Sequence, residues 1–142
     1  MVGQIESDAE EGVDWVEIDW KQSLRRALRL TSVGGSRVDV LLPPGGRLRQ
    51  GDVLFAGPPK IAVRIEIVDC LRIQVSDSAT LGRLAFDLGN RHLPAQFFGN
   101  EMVVIDDGPT RQLAASFGLP FAAERLRFYP EPVLLDAFGR SG

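Results

Sequence analysis

The chain contains a single histidine, and its setting makes it the first candidate for chemistry. His92 lies in the segment "LGNRHLP", residues 88–94, between a Gly-Asn pair and a proline. Imidazole is a common ligand of divalent transition metals, but one histidine is not a ligand cluster. Two interpretations are therefore open. His92 is either a structural residue at a helix C-terminus, where a donor or cation is favourable, or half of a site completed by a second copy of the chain.

Few other residues offer metal-binding or catalytic chemistry. Asp106 and Asp107 are possible auxiliary carboxylate ligands, although this position is more typical of a helix N-cap. Cys70 is the only cysteine, which is typical of a buried side chain and of a reducing compartment. The sequence has no CxxC pair, P-loop or GxSxG elbow, so we expect no enzyme activity.

Composition favours a globular protein of ordinary hydrophobicity. The chain has 142 residues, of which 44% are hydrophobic, and a net charge of −3. This acidic balance argues against nucleic-acid binding, and we interpret Arg25, Arg26 and Arg29 as a solvated face, with contact to an acidic partner as the alternative. No apolar run is long enough to cross a membrane, and the acidic N-terminus is unlike a targeting sequence. We therefore expect a cytoplasmic protein.

The first half of the chain has the pattern of short strands. Residues 1–12 are acidic and poor in large apolar groups, which predicts disorder. From residue 13, Val16, Ile18 and Trp20 alternate with acids, as in a half-buried strand. Further alternating runs are separated by Gly and Pro turns, so residues 13–68 are predicted to form a small all-β domain. Asp69 interrupts an apolar alternation and places the domain boundary there.

The second half changes to a helical period. Leu81, Leu84, Ala85 and Leu88 share one helix face, which Asp77 or Ser78 can cap. A predicted hairpin, a second helix and a last strand follow. The order β-α-β-β-α-β predicts a ferredoxin-like domain over residues 69–131, with a tail at 132–142. The fold class is therefore α+β, with an all-β N-terminal domain and a ferredoxin-like βαββαβ domain.

The segment "LGNRHLP" after an amphipathic helix resembles the signature of UreE, a family of urease accessory proteins that act as nickel metallochaperones. Other parts of the chain resemble that family in the same order. They are "L-x-x-GDVL" (48–54), Trp20 with "RRALR", and "FYPE" (128–131). The likeness covers about residues 13–131.

The resemblance implies a peptide-binding-like β domain and a ferredoxin-like domain that forms a homodimer. His92 of both copies would bind Ni²⁺ near the dimer axis, with Gly89, Asn90 and Arg91 positioning the motif. A two-fold axis duplicates every group near it, so one imidazole becomes two. Ni²⁺ would be carried to urease, with the accessory GTPase UreG and the urease activation complex as partners, and without a catalytic cofactor.

The sequence departs from the family at two places. The C-terminal segment "PVLLDAFGRSG" has no histidine, whereas many members carry a histidine-rich tail. Asp106 and Asp107 stand where some members have histidines, and Asp106 is the candidate auxiliary ligand. The alternative function is a non-catalytic ligand-sensing or protein-interaction module with a dimeric ferredoxin-like domain, in which His92 is structural.

Overall fold

The structure is a computed structural model that describes residues 3–7 and 10–131. The chain divides into two compact units, Met1–Glu66 and Ile67–Gly142. The division falls two residues ahead of Asp69. The sequence predicts the domain boundary at Asp69 because a buried strand face rejects an unpaired carboxylate. Instead Asp69 lies within a strand, with its side chain 66% exposed and paired with Arg125 at 3.1 Å. The strand therefore has no carboxylate to bury.

The described residues of the first unit form five strands and one helical turn. A three-stranded sheet has the order β1-β5-β4, in which β1 and β5 are parallel. A separate antiparallel hairpin consists of β2 and β3. The elements are β1 (Val13–Ile18), α1 (Trp20–Ser23), β2 (Ala27–Thr31), β3 (Arg37–Leu41), β4 (Val53–Phe55) and β5 (Lys60–Ile65).

The helical turn α1 corrects the prediction that Trp20 continues the first strand. The Asp19 carboxylate accepts a hydrogen bond from the Gln22 N–H at 2.8 Å, and the Gln22 side chain accepts one from the Asp19 N–H at 2.9 Å. This reciprocal capping box satisfies two backbone donors and starts a helix. Trp20 is consequently the first helical residue, and the N-terminal unit is not purely β.

The N-terminal segment also differs from the predicted disorder of residues 1–12. Ile5 is 5% exposed and packs in a cluster with Trp15, Val53 and Ala62. Its N–H donates to the Gly51 carbonyl at 2.6 Å. Gly51 has a φ of +86°, and a Cβ there would collide with the Ile5 carbonyl, so only glycine fits. Ile5 is therefore part of the core of the first unit, although its neighbours in sequence are acidic.

The second unit has the predicted ferredoxin-like topology. Its antiparallel sheet has the order β7-β8-β6-β9. The elements are β6 (Val68–Gln74), α2 (Ser78–Asn90), β7 (Gln96–Phe98), β8 (Glu101–Ile105), α3 (Gly108–Ser116) and β9 (Phe121–Leu126). The α+β fold class is confirmed.

The core of the second unit lies between the sheet and the helices. Strands β6 and β8 contribute alternate residues, and α2 contributes the apolar face that the helical period predicted. Asp77 caps α2, because its carboxylate accepts from the Thr80 N–H at 2.7 Å. The buried core residues are Leu71, Ile73, Val75, Leu84, Leu88, Ala95, Met102, Val104, Leu113 and Ala114.

The packing of Ile5 predicts that Ile5→Ala destabilises the first unit by about 2–4 kcal/mol, because a buried side chain is truncated. The measurement is urea unfolding followed by the fluorescence of Trp15, which lies in the same cluster. Glu6→Ala, at an exposed neighbour, is the matched control and should change stability by less than about 0.5 kcal/mol. Equal stability of the two variants would contradict the packing of this segment.

Candidate metal centre

The candidate site lies where helix α2 ends. Asn90 is the last helical residue and Arg91 is the C-cap. The His92 N–H donates to the Gly89 carbonyl at 3.1 Å, and the Leu93 N–H donates to the Leu88 carbonyl at 2.9 Å. These two bonds form a Schellman motif, which satisfies helix carbonyls that would otherwise lack donors.

His92 occupies the one position in this motif that usually belongs to glycine. Its φ is +56°, and among the described residues it is the only non-glycine residue with a positive φ. A left-handed conformation costs an L-residue about 1–2 kcal/mol. A helix continued for one more turn would place the ring of His92 on the apolar face of Leu84 and Leu88. The chain instead leaves the helix before His92, and the side chain is exposed.

The imidazole has no structural partner in the part of the chain that is described. No hydrogen bond or ion pair of the ring occurs there, although the His92 backbone is fixed by its bond to Gly89. The C-terminal end of a helix carries partial negative charge, which favours a bound cation. The arrangement therefore presents an exposed imidazole at a fixed backbone position.

Of the three residues before His92, Gly89 makes a backbone hydrogen bond with it. The Gly89 carbonyl accepts from His92 and also from the Arg91 N–H. The Arg91 Nε donates to Asp87 Oδ1 at 3.0 Å, one helical turn back. This ion pair holds the guanidinium along α2. Asn90 is exposed at the last helical position.

An apolar groove runs along the exposed side of α2 toward His92. Phe86 is the most prominent side chain, with 72% of its surface exposed. Small residues flank it, so the groove is shallow and open. Its lining residues are Ser78, Ala79, Gly82, Arg83, Phe86, Asp87, Asn90 and Phe117. A large exposed aromatic side chain beside small residues is typical of an interaction surface.

The two aspartates have different roles. Asp107 caps α3, because its carboxylate accepts from the Thr110 N–H at 2.9 Å, which confirms its predicted capping role. Both oxygens of Asp106 accept from Arg111, at 2.6 and 3.0 Å. The hydrogen bonds from Arg111 hold the pKa of Asp106 below its usual value. Within residues 3–7 and 10–131, no group of three or more His, Cys, Asp or Glu side chains converges on one point.

Cys70 is buried and carries no sign of reactivity. Burial raises the pKa of its thiol to about 11, and the charges of Asp69 and Asp106 add to the shift. The metal-binding form of cysteine is the thiolate, which a raised pKa disfavours. Cys70 is a structural residue, as its sequence context predicted.

Sequence reasoning missed an ionic cluster on the second sheet. Arg72 donates to Glu101 and Glu124, each at 2.8 Å. Hydrogen bonds from Gln74 and Arg72 lower the pKa of Glu101, and the bond from Arg72 lowers that of Glu124. The alternation in "CLRIQ" (70–74) is compatible with an outward Arg72, but its cross-strand partners depend on the register. Both carboxylates already accept hydrogen bonds from the same arginine, so this cluster is structural.

The comparisons with known proteins cover both units. The family model of the UreE urease accessory protein N-terminal domain matches residues 2–67, and that of the C-terminal domain matches residues 68–140. The chain belongs to the UreE family of urease accessory proteins. The resemblance noted in the sequence is thereby confirmed, and a urease accessory role follows from it.

Individual relatives agree with this assignment. The chain is 32% identical over 108 residues to the urease accessory protein UreE of Acetivibrio thermocellus, which covers 75% of this chain and 71% of the relative. It is 31% identical over 130 residues to the UreE of Halalkalibacterium halodurans, and the alignment covers 90% of this chain and 87% of the relative. It is 29% identical over 124 residues to the UreE of Lysinibacillus sphaericus, and the alignment covers 87% of this chain and 84% of the relative. None of the helices in the described residues is long and apolar enough to span a membrane.

The left-handed conformation of His92 predicts that His92→Gly is more stable than the wild type, by about 0.5–1 kcal/mol. Relief of the backbone strain exceeds the entropy that glycine adds to the unfolded chain. The measurement is urea unfolding of the second unit. His92→Ala is the matched control and should gain nothing, because alanine keeps the strain. A glycine variant no more stable than the alanine variant would contradict the strained geometry.

Proposed function

We propose that this protein is a homodimeric nickel metallochaperone that delivers Ni²⁺ to urease during maturation of its active site. His92 from both copies would bind the ion at the dimer axis. The observation that carries the proposal is the exposed imidazole, fixed in a strained conformation at a helix C-terminus and without a structural partner. The closure of α2 requires a left-handed residue at this position but not a histidine, and strained non-glycine residues cluster at functional sites.

The number of donors supports a shared site. One chain offers a single imidazole, and its described residues supply no three-donor group. Two chains related by a two-fold axis supply two imidazoles at one point. Imidazole suits Ni²⁺, and water or carboxylate oxygens can complete its coordination. The ion is cargo in this scheme, so the protein needs no catalytic step of its own.

The groove on α2 supports a dimer at this place. It continues along the helix to Asn90, which is two residues from His92. Packing of this face against its copy would bury Phe86 of both chains, which is the apolar burial that a stable interface needs. A two-fold axis that passes near the C-terminal end of α2 would bring the two imidazoles together.

An incompletely enclosed ion is suited to transfer. Two protein ligands and several waters leave positions open for a donor from an acceptor protein, so the ion can pass by ligand exchange. We propose that the accessory GTPase UreG and the urease activation complex are the acceptors. Asp106 remains a candidate auxiliary ligand, and such a role would require its ion pair with Arg111 to open.

The test of the metal site is calorimetric titration with Ni²⁺. Wild-type protein should bind one ion per two chains. His92→Gly should weaken binding at least about a hundredfold, because a directly coordinating ligand contributes at least as much as the outer-shell groups whose loss costs about 10–100-fold. His92→Asn, which tolerates the left-handed conformation, is the matched control for backbone effects and should lose binding equally.

Unchanged nickel affinity in both variants would contradict the role of His92. It would favour the alternative, a non-catalytic sensing or interaction module. Asp106→Asn, tested beside them, measures the auxiliary role. A fall in affinity at constant stoichiometry would support coordination by Asp106, and an unchanged affinity would remove Asp106 from the site.

The test of the dimer surface is Phe86→Asp, measured by light scattering at micromolar concentration. Wild-type protein should be a dimer, and the variant should be a monomer, because two carboxylates would be buried against each other. Since Phe86 is 72% exposed in the single chain, the variant should still fold. Arg25→Asp, in the other unit, is the control and should remain dimeric. A dimeric Phe86→Asp variant with intact nickel binding would contradict the α2 interface.

A further inference from the structure

The chain is acidic as a whole, but its basic residues are concentrated in one segment. Residues 21–49 contain seven lysine or arginine residues and one acid, Asp39, whereas the whole chain has 16 basic and 19 acidic residues. This segment includes the hairpin of β2 and β3. A local excess of positive charge in an otherwise acidic protein attracts anionic partners, and the strands of the hairpin contribute Arg29 and Arg37 to it.

The exposed face of the hairpin combines charge with apolar surface. Leu28 and Leu30 point to the buried side. The alternate residues of β2 point outward. The register pairs Arg29 with Asp39 and Thr31 with Arg37. Leu41 completes this face and is 80% exposed. No ion pair of Arg29 or Arg37 occurs within the described part of the chain, so both guanidinium groups are available.

The outer edge of β3 carries backbone groups that point away from β2. The Leu42 N–H donates to the Arg26 carbonyl and the Ser32 N–H to the Ser36 carbonyl, each at 2.8 Å. In an antiparallel ladder only alternate residues direct their backbone N–H and C=O groups to the partner strand. These two bonds show that in β3 the even-numbered residues direct these groups to β2. Arg37, Asp39 and Leu41 therefore direct their N–H and C=O groups outward. Across residues 3–7 and 10–131, β3 pairs only with β2.

We propose that the outer edge of β3 binds an extended acidic segment of a partner protein as an added strand. Main-chain hydrogen bonds to Arg37, Asp39 and Leu41 would supply the ladder, and side chains on the exposed face would supply the specificity. The register defines the partner's pattern. A residue facing Leu41 is apolar, one facing Asp39 is neutral or basic, and one facing Arg37 is acidic.

The observations favour a protein segment over the other possible occupants. A nucleic acid could neutralise the arginines, but it has no peptide groups to satisfy the edge of β3. The acidic N-terminal segment of the same chain is held elsewhere, since Ile5 binds Gly51 and Glu10 pairs with Lys60 at 3.6 Å. The surface belongs to the first unit and needs no metal, so it is independent of the nickel site proposed above.

The experiment measures binding of a fluorescein-labelled synthetic peptide to the full chain without metal, by fluorescence anisotropy. In the peptide, leucine, glutamine and glutamate occupy the alternate positions that face Leu41, Asp39 and Arg37, threonines separate them, and two further glutamates follow. The charge reversals Arg29→Glu and Arg37→Glu, combined, should weaken binding at least about tenfold at low salt. Arg125→Glu makes the same type of charge change at an exposed site of the second unit, and should leave binding unchanged.

A second arm tests strand addition on the wild-type protein, so it does not depend on the folding of a variant. The same peptide with alternate backbone nitrogens methylated keeps its charges but loses its ladder donors, and should bind at least about tenfold more weakly. Amide hydrogen exchange should slow at Arg37, Asp39 and Leu41 in the complex. It should stay unchanged at Val38 and Val40, whose amides face β2.

Several results would overturn the proposal. They are absence of peptide binding, equal binding of the methylated peptide, and unchanged exchange at the three edge amides. Equal competition by a single-stranded thymidine oligonucleotide would assign the surface to nucleic acid and would also overturn it.

Discussion

The end of helix α2 is the constraint on which the candidate site depends. The bond from the Leu93 N–H to the Leu88 carbonyl closes the helix, and it requires a left-handed residue one position earlier. That residue is His92, so the closure that stops the helix also turns the imidazole out of the apolar face. Leu93 then packs against the core that contains Leu88. A packed helix therefore fixes the histidine backbone and leaves its ring free.

The fold was predictable wherever one periodicity dominated a segment. The spacing of Leu84 and Leu88 and the cap at Asp77 identified α2, because a buried helix face and its N-terminal donors leave direct marks in sequence. Prediction failed where a local polar interaction or one long-range contact determined the local structure. The alternation up to Trp20 was broken by the Asp19 capping box, and Ile5 was ordered by contacts with residues far along the chain.

The sequence identified the candidate residue of the site, but it did not predict the direction of its side chain. The motif around His92 identified the histidine, since its Gly-Asn neighbours and following proline mark a helix end. The direction of the ring depends on one backbone angle, which the spacing of residues in the sequence does not give. The pairing of Asp106 with Arg111 was also hidden. Arg111 is five residues away, and their contact requires that Asp107 start α3 between them.

Exposure of the histidine bears on how such a carrier could choose its ion. Divalent copper binds nitrogen ligands more tightly than nickel does, so a pair of imidazoles selects poorly by affinity alone. A buried, fully coordinated site could impose geometry, but it would also slow release. An exposed histidine at a helix end would impose little geometry on the ion, but it would leave the ion accessible to an acceptor protein. Under the proposed function, discrimination between ions falls to the contact with another protein, and the basic segment 21–49 of the first unit is one surface that could form such a contact.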